Sequence, residues 1–74
     1  MPKLPRVSGK RLARVLEKAG FRTVRIRGDH AFMAHPDGRR AVVVLSGGTL
    51  PVGTIAGTIA EAGLTSADLR RLLD

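Results

Sequence analysis

The chain contains no cysteine, no tryptophan and no tyrosine. Without thiols there is no disulfide, thiolate zinc site, iron-sulfur cluster or cysteine nucleophile, and a reducing compartment suits the composition. Phe21 and Phe32 are the whole aromatic content. That is too little for a reader that stacks successive bases on an aromatic platform. Acids are scarce as well, six Asp and Glu against thirteen Lys and Arg, for a net charge of +7. No apolar run approaches the roughly 20 residues of a spanning helix. The opening MPKLPRVSGKR carries no apolar signal segment, so the expected location is the cytoplasm with no membrane contact. At 74 residues the expected organisation is one domain, 1–74. So small a domain buries only about 60% of its unfolded surface, which leaves a shallow site rather than a deep cleft.

The basic residues that are present are unevenly placed. Residues 1 to 40 hold eleven of them against three acids, while residues 41 to 74 hold two against three. A cationic half attracts polyanions, because each phosphate it contacts releases condensed counterions. The ordinary alternative is that Lys and Arg serve solubility.

Local patterns order the elements. Ser8 is a candidate N-cap, and Leu12, Val15, Leu16 and Ala19 then fall at helical spacing on one face, ending near Gly20. Phe21 to Arg27 alternates as a half-buried strand with Val24 and Ile26 inward. The Gly28-Asp29 turn leads to a second strand, His30 to His35, and Pro36-Asp37-Gly38 is a hairpin signal before a third strand, Arg40 to Leu45. Ser46 to Thr49 reads as a flexible link. A second helix follows with Thr54 as cap, an apolar stripe of Ile55, Ile59 and Ala62, and an internal Gly57 that calls for packing or a close backbone approach. Gly63 ends it, and Thr65-Ser66-Ala67-Asp68 resembles a capping box opening a short tail helix through Leu69, Leu72 and Leu73. The expected fold class is α+β: an α-β-β-β-α order with a three-stranded antiparallel sheet, two helices on one face, and a short C-terminal helix. The other sheet face is then open.

No phosphate loop, zinc spacing or serine triad is present, and two histidines five residues apart on one strand point to opposite faces, which is wrong for a shared metal. No cofactor or metal is called for. The candidates for chemistry are His30, after the Gly28-Asp29 turn, and His35, better suited to holding the hairpin backbone. Histidine takes and returns a proton near neutral pH, and guanidinium groups stabilise the charge that develops on a phosphorane. Together they suffice for metal-free cleavage of RNA, in which the ribose 2′-OH is the nucleophile. The expected RNA-binding residues are Lys10, Arg11, Arg14, Arg25, Arg27 and Arg39.

Five segments occur in order: Leu16-Glu17-Lys18-Ala19-Gly20-Phe21, Arg27-Gly28-Asp29-His30, His35-Pro36-Asp37-Gly38-Arg39-Arg40, Leu50-Pro51-Val52-Gly53-Thr54-Ile55 and Ala62-Gly63-Leu64-Thr65. In this order and spacing the chain resembles, over about residues 4 to 73, the HicA toxin family of small bacterial mRNA interferases. The resemblance implies a double-stranded-RNA-binding-domain-like fold, cleavage of mRNA without a metal, neutralisation by a HicB-type antitoxin, and a catalytic histidine at the position of His30. Two departures stand out. Asp29 occupies the place of the family's usual serine, where it would orient the imidazole or repel phosphate. Leu45-Ser46-Gly47-Gly48 stands where the family often has a histidine.

The leading reading is therefore a toxin with endoribonuclease activity. The alternatives are a noncatalytic RNA-binding module and a purely protein-binding partner for an acidic ligand, since one scaffold carries all three. If the second strand turns Ala31 and Met33 toward the helices, His30 and Phe32 share the open face with Val42 or Val43, an apolar patch beside a cationic site that an antitoxin would cover. In the opposite register Phe32 is a core residue.

Overall fold

The computed structural model describes residues 4–73. Met1, Pro2, Lys3 and Asp74, which include one counted base and one counted acid, lie outside the described residues. The elements are α1 (Gly9–Lys18), β1 (Arg22–Arg27), β2 (His30–Ala34), β3 (Arg40–Val44), α2 (Val52–Glu61) and α3 (Ser66–Leu72). This is the expected α+β order. The three strands form one antiparallel sheet in the order β1-β2-β3.

Helix α1 starts where Ser8 Oγ accepts the Arg11 N–H at 3.2 Å, satisfying one of the free amides of the first turn. Leu12, Val15 and Leu16 are buried, as the spacing requires. The helix stops at Lys18, and Gly20, at φ +103°, turns the chain toward β1. In the sheet, β2 and β3 pair Ala31 with Val43 and Met33 with Ala41. These four residues are at most 2% exposed and form one core with Leu12, Leu16, Ile55, Ile59 and Leu69 from the helices. Alternation along β2 then puts His30 and Phe32 on the face away from the helices. Val42 accompanies them and Val43 does not.

Three expectations need correction. First, β1 is not half-buried: all six of its residues are exposed, with Val24 at 55% and Ile26 at 58%. The register shifts between Thr23 and Arg25, leaving Val24 as a bulge, and both long helices pack chiefly on β3, so that even the helix-side Ile26 is uncovered. Second, α2 begins at Val52 with Pro51, not Thr54, at the cap position and no side-chain cap. The start is set upstream, where buried Leu50 donates its N–H to the Val7 carbonyl at 2.9 Å. Third, the link after β3 is tied at its end by a bridge between Thr49 and Ser8. Of the two supports that Gly57 calls for, the structure supplies packing: nothing lies within 4 Å of the place a Cβ would occupy, and α2 stands on the burial of Ile55, Ile59 and Ala62.

The close approach falls on Gly9 instead. A Cβ there would sit 1.6 Å from the Val44 carbonyl oxygen, so the absence of a side chain lets the first turn of α1 press against the end of β3. The tail helix matches its sequence signature: Thr65 and Asp68 form a complete capping box, and Leu69 is wholly buried. No helix among the described residues is long and apolar enough to cross a membrane.

Candidate active site

The two-residue turn Gly28-Asp29, with Gly28 at φ +59°, pairs Arg27 with His30 at the first rung of the β1–β2 hairpin. Paired residues share a face, about 5 Å apart at Cβ. The next rung on that face pairs Arg25 with Phe32, and the Arg25 guanidinium stacks 5.7 Å from the Phe32 ring centroid. Such a contact at an exposed site contributes about 0.5–1 kcal/mol and fixes the arginine's direction. Beyond the bulge Arg22 pairs with Ala34, and on β3 Arg40 pairs with the same residue. The open face therefore carries His30 beside Arg27, with Arg25 one rung along and Arg22 and Arg40 at the far end, flanking Ala34. A recess of about 390 Å³ lies beside them, lined mainly by Val24, Phe32, Ala34, Arg40 and Val42.

His30 is held from one side only. Its Nδ1 lies 2.8 Å from Asp29 Oδ1, and both side chains are about half exposed. The second carboxylate oxygen of Asp29 accepts the Ser46 hydroxyl at 2.5 Å. That hydroxyl above all, then the residue's own backbone amide and the adjacent imidazole, hold the Asp29 carboxyl below the usual carboxylate range. Among the described residues no group is hydrogen-bonded to His30 Nε2. The site thus presents an oriented, half-exposed imidazole with Arg27 as its cross-strand neighbour. Of the two roles open to Asp29, the geometry provides the orienting one.

His35 lies just past β2 and behaves as the hairpin residue its position suggests. Its Nδ1 accepts the Asp37 N–H at 3.1 Å, and its ring packs edge-on against Phe21 at 5.1 Å. It takes no part in the open face. Among the described residues no three His, Asp or Glu side chains come together as a metal site would need.

The six residues expected to bind RNA do not form one patch. Arg25 and Arg27 flank His30. Lys10 sits at the rim, lining a depression of about 510 Å³ with Ser8, Gly28, Asp29 and Ser46. Arg11 and Arg14 line a different groove, between α1 and α3, where Arg11 and Lys18 reach the carbonyls of Leu73 and Leu72. Arg39 is engaged in the fold: it pairs with Asp37 at 2.8 Å, lies over Phe21, and donates to the Ala62 carbonyl at 2.6 Å, where it caps the negative end of α2. Three site residues escaped sequence reasoning. Arg40 was accessible to it, since alternation from Val42 places it outward. Arg22 was not, because only the bulge at Val24 turns it to the open face. Ser46 was not, because its contact with Asp29 forms only when the segment after β3 meets the β1–β2 turn.

Among curated proteins none matches the chain. A family profile described as HicA toxin of bacterial toxin-antitoxin matches residues 9–64, a span that runs from the first residue of α1 through all three strands and the whole of α2. With His30 and its arginines inside that span, the chain belongs to the HicA toxin family, and its role is that of the toxin in a bacterial toxin-antitoxin pair.

Proposed function

We propose that this toxin is an endoribonuclease that cleaves mRNA in the cytoplasm with His30 as its general base, needing no metal or cofactor. The observation that carries the reading is the oriented His30, with no described residue hydrogen-bonded to its Nε2, paired across the hairpin with Arg27 and next to Arg25 on a face that carries Arg22 and Arg40 at its other end. In the reaction Nε2 takes the proton of a ribose 2′-OH, O2′ bonds to the adjacent phosphorus, and the bond from phosphorus to the 5′-oxygen breaks. The products are a 2′,3′-cyclic phosphate and a 5′-hydroxyl, the latter formed with a proton from the imidazolium or from water. The arginines attract the RNA backbone and offset the charge gathering on the equatorial phosphoryl oxygens. DNA lacks the nucleophile and is not a substrate.

The same face supports a docking role for a HicB-type antitoxin. Exposed Val24 and half-buried Phe32 and Val42 lie beside a cationic site, and an acidic partner covering them would shield His30 without any change of shape in the toxin.

His30→Ala is expected to abolish cleavage of a single-stranded RNA while leaving RNA binding and the melting temperature near parental values, because the ring is half exposed and packs little. A chelator should leave parental activity unchanged. Parental-rate cleavage by His30→Ala would remove His30 from the mechanism. RNA binding without cleavage by the parent would leave a binding module in its place.

A further inference from the structure

Asp29 and Ser46 come from different loops, the β1–β2 turn and the segment after β3, and the two loops are joined twice. The Leu45 N–H donates to the Asp29 carbonyl at 2.7 Å, and Ser46 Oγ donates to Asp29 Oδ2 at 2.5 Å. The other carboxylate oxygen lies 2.8 Å from His30 Nδ1. Both ends of the carboxylate are therefore occupied. An ionised carboxylate only accepts hydrogen bonds, so Nδ1 must carry the hydrogen it shares with Asp29. In the neutral ring the lone pair is then on Nε2. Free histidine prefers the opposite arrangement, with Nε2 protonated and Nδ1 bare.

The geometry points to Ser46 and Asp29 as positioning residues: Ser46 locks the Asp29 carboxylate, Asp29 holds the Nδ1–H tautomer of His30, and Nε2 is left as the basic atom that meets the substrate. The hydroxyl matters because Asp29 is half exposed and would otherwise turn into water. The contact between them joins the β1–β2 turn to the segment after β3 and makes the two residues one device. What Nε2 does next rests on the ribonuclease reading; which nitrogen carries the hydrogen does not.

Long-range proton–nitrogen NMR spectra of the whole chain, with histidine labelled and the rings neutral, read the tautomer directly. The parent is expected to show Nδ1–H at His30, Asp29→Ala to revert to Nε2–H, Ser46→Ala to fall between them, and Ser46→Thr to restore the parental signal. His35 should be unchanged throughout, since its partner is Asp37. With an RNA substrate, Ser46→Ala should lower kcat about tenfold at constant KM, and Ser46→Thr should recover it. A parental Nε2–H signal overturns the proposal, as does a Ser46→Ala spectrum identical to the parent's, whether or not kcat falls. Tautomers that follow expectation in a protein that cleaves no RNA uphold the positioning and remove the ribonuclease reading instead.

Discussion

A methyl group on Gly9 would lie 1.6 Å from a backbone oxygen of β3, whereas one on Gly57 would meet nothing within 4 Å. Gly9→Ala must push the start of α1 off the sheet and is expected to cost at least about 2 kcal/mol. Gly57→Ala lies in an exposed helical turn and should stabilise by about 1 kcal/mol, which is about 4–8 °C in melting temperature for a domain of this size. Thermal unfolding of the two variants checks both signs, and destabilisation by Gly57→Ala would contradict the open surroundings of that residue. Sequence periodicity had pointed at Gly57 because it interrupts a helix, and it was silent about Gly9, whose neighbour is 35 positions away in the chain. The candidate site divides the same way. His30, Arg25 and Arg27 were legible because strand alternation and one turn relate them locally. The engagement of Ser46 with Asp29 and of Arg39 with Ala62 arises only when separate elements meet.

Helices and hairpins were readable where a local chemical rule governs them. Ser8 and the Thr65–Asp68 box behave as capping rules require, and Pro36-Asp37-Gly38 turns the chain with Gly38 at φ +100°. Strand β1 was misread because alternation assumes an unbroken pleat under a complete cover, and here a bulge and an uncovered edge remove both conditions. The turn and cap carboxylates give these elements a shared acid limit. The Arg39 amide holds the Asp37 carboxyl below its ordinary value of 3.8, the Thr65 amide does the same for Asp68, and Ser46 for Asp29. A depressed folded value means that the unfolded chain binds protons first, so this stabilisation is complete above the ordinary value and disappears as pH falls through the lower folded values. The denaturant midpoint should therefore be insensitive to these groups near neutrality and fall below about pH 3.8. The double variant Asp37→Asn, Asp68→Asn should show a shallower acid loss; an unchanged slope would mean that these caps do not set it.

Over the whole molecule the +7 charge is divided among surfaces with different duties. Arg25 and Arg27 stand beside His30 on the open face and Arg22 and Arg40 at its other end, Arg11 and Lys18 hold the end of α3 to α1, and Arg39 ties the β2–β3 hairpin to α2. Composition alone showed that the basic residues crowd into the first half of the chain, but it did not distinguish a cation that attracts RNA from one that closes a helix. Salt dependence makes that distinction. A phosphate contact to single-stranded RNA contributes about 0.7 to the slope of log affinity against log salt. Removing Arg25 and Arg27 together should lower the slope by about 1.4, and removing Arg22 and Arg40 should do the same. Arg70→Ala with Arg71→Ala, on the far helix α3, should change it less. Arg39→Ala should lower the melting temperature, because the Ala62 carbonyl loses its donor, while leaving the slope nearly intact. Binding isotherms of the four variants on one RNA at several salt concentrations settle the assignment. Equal slope changes at the open face and at α3 would mean that RNA is drawn by the total charge, and the arginines of the open face would then have no special part in bringing a phosphate to the Nε2 of His30.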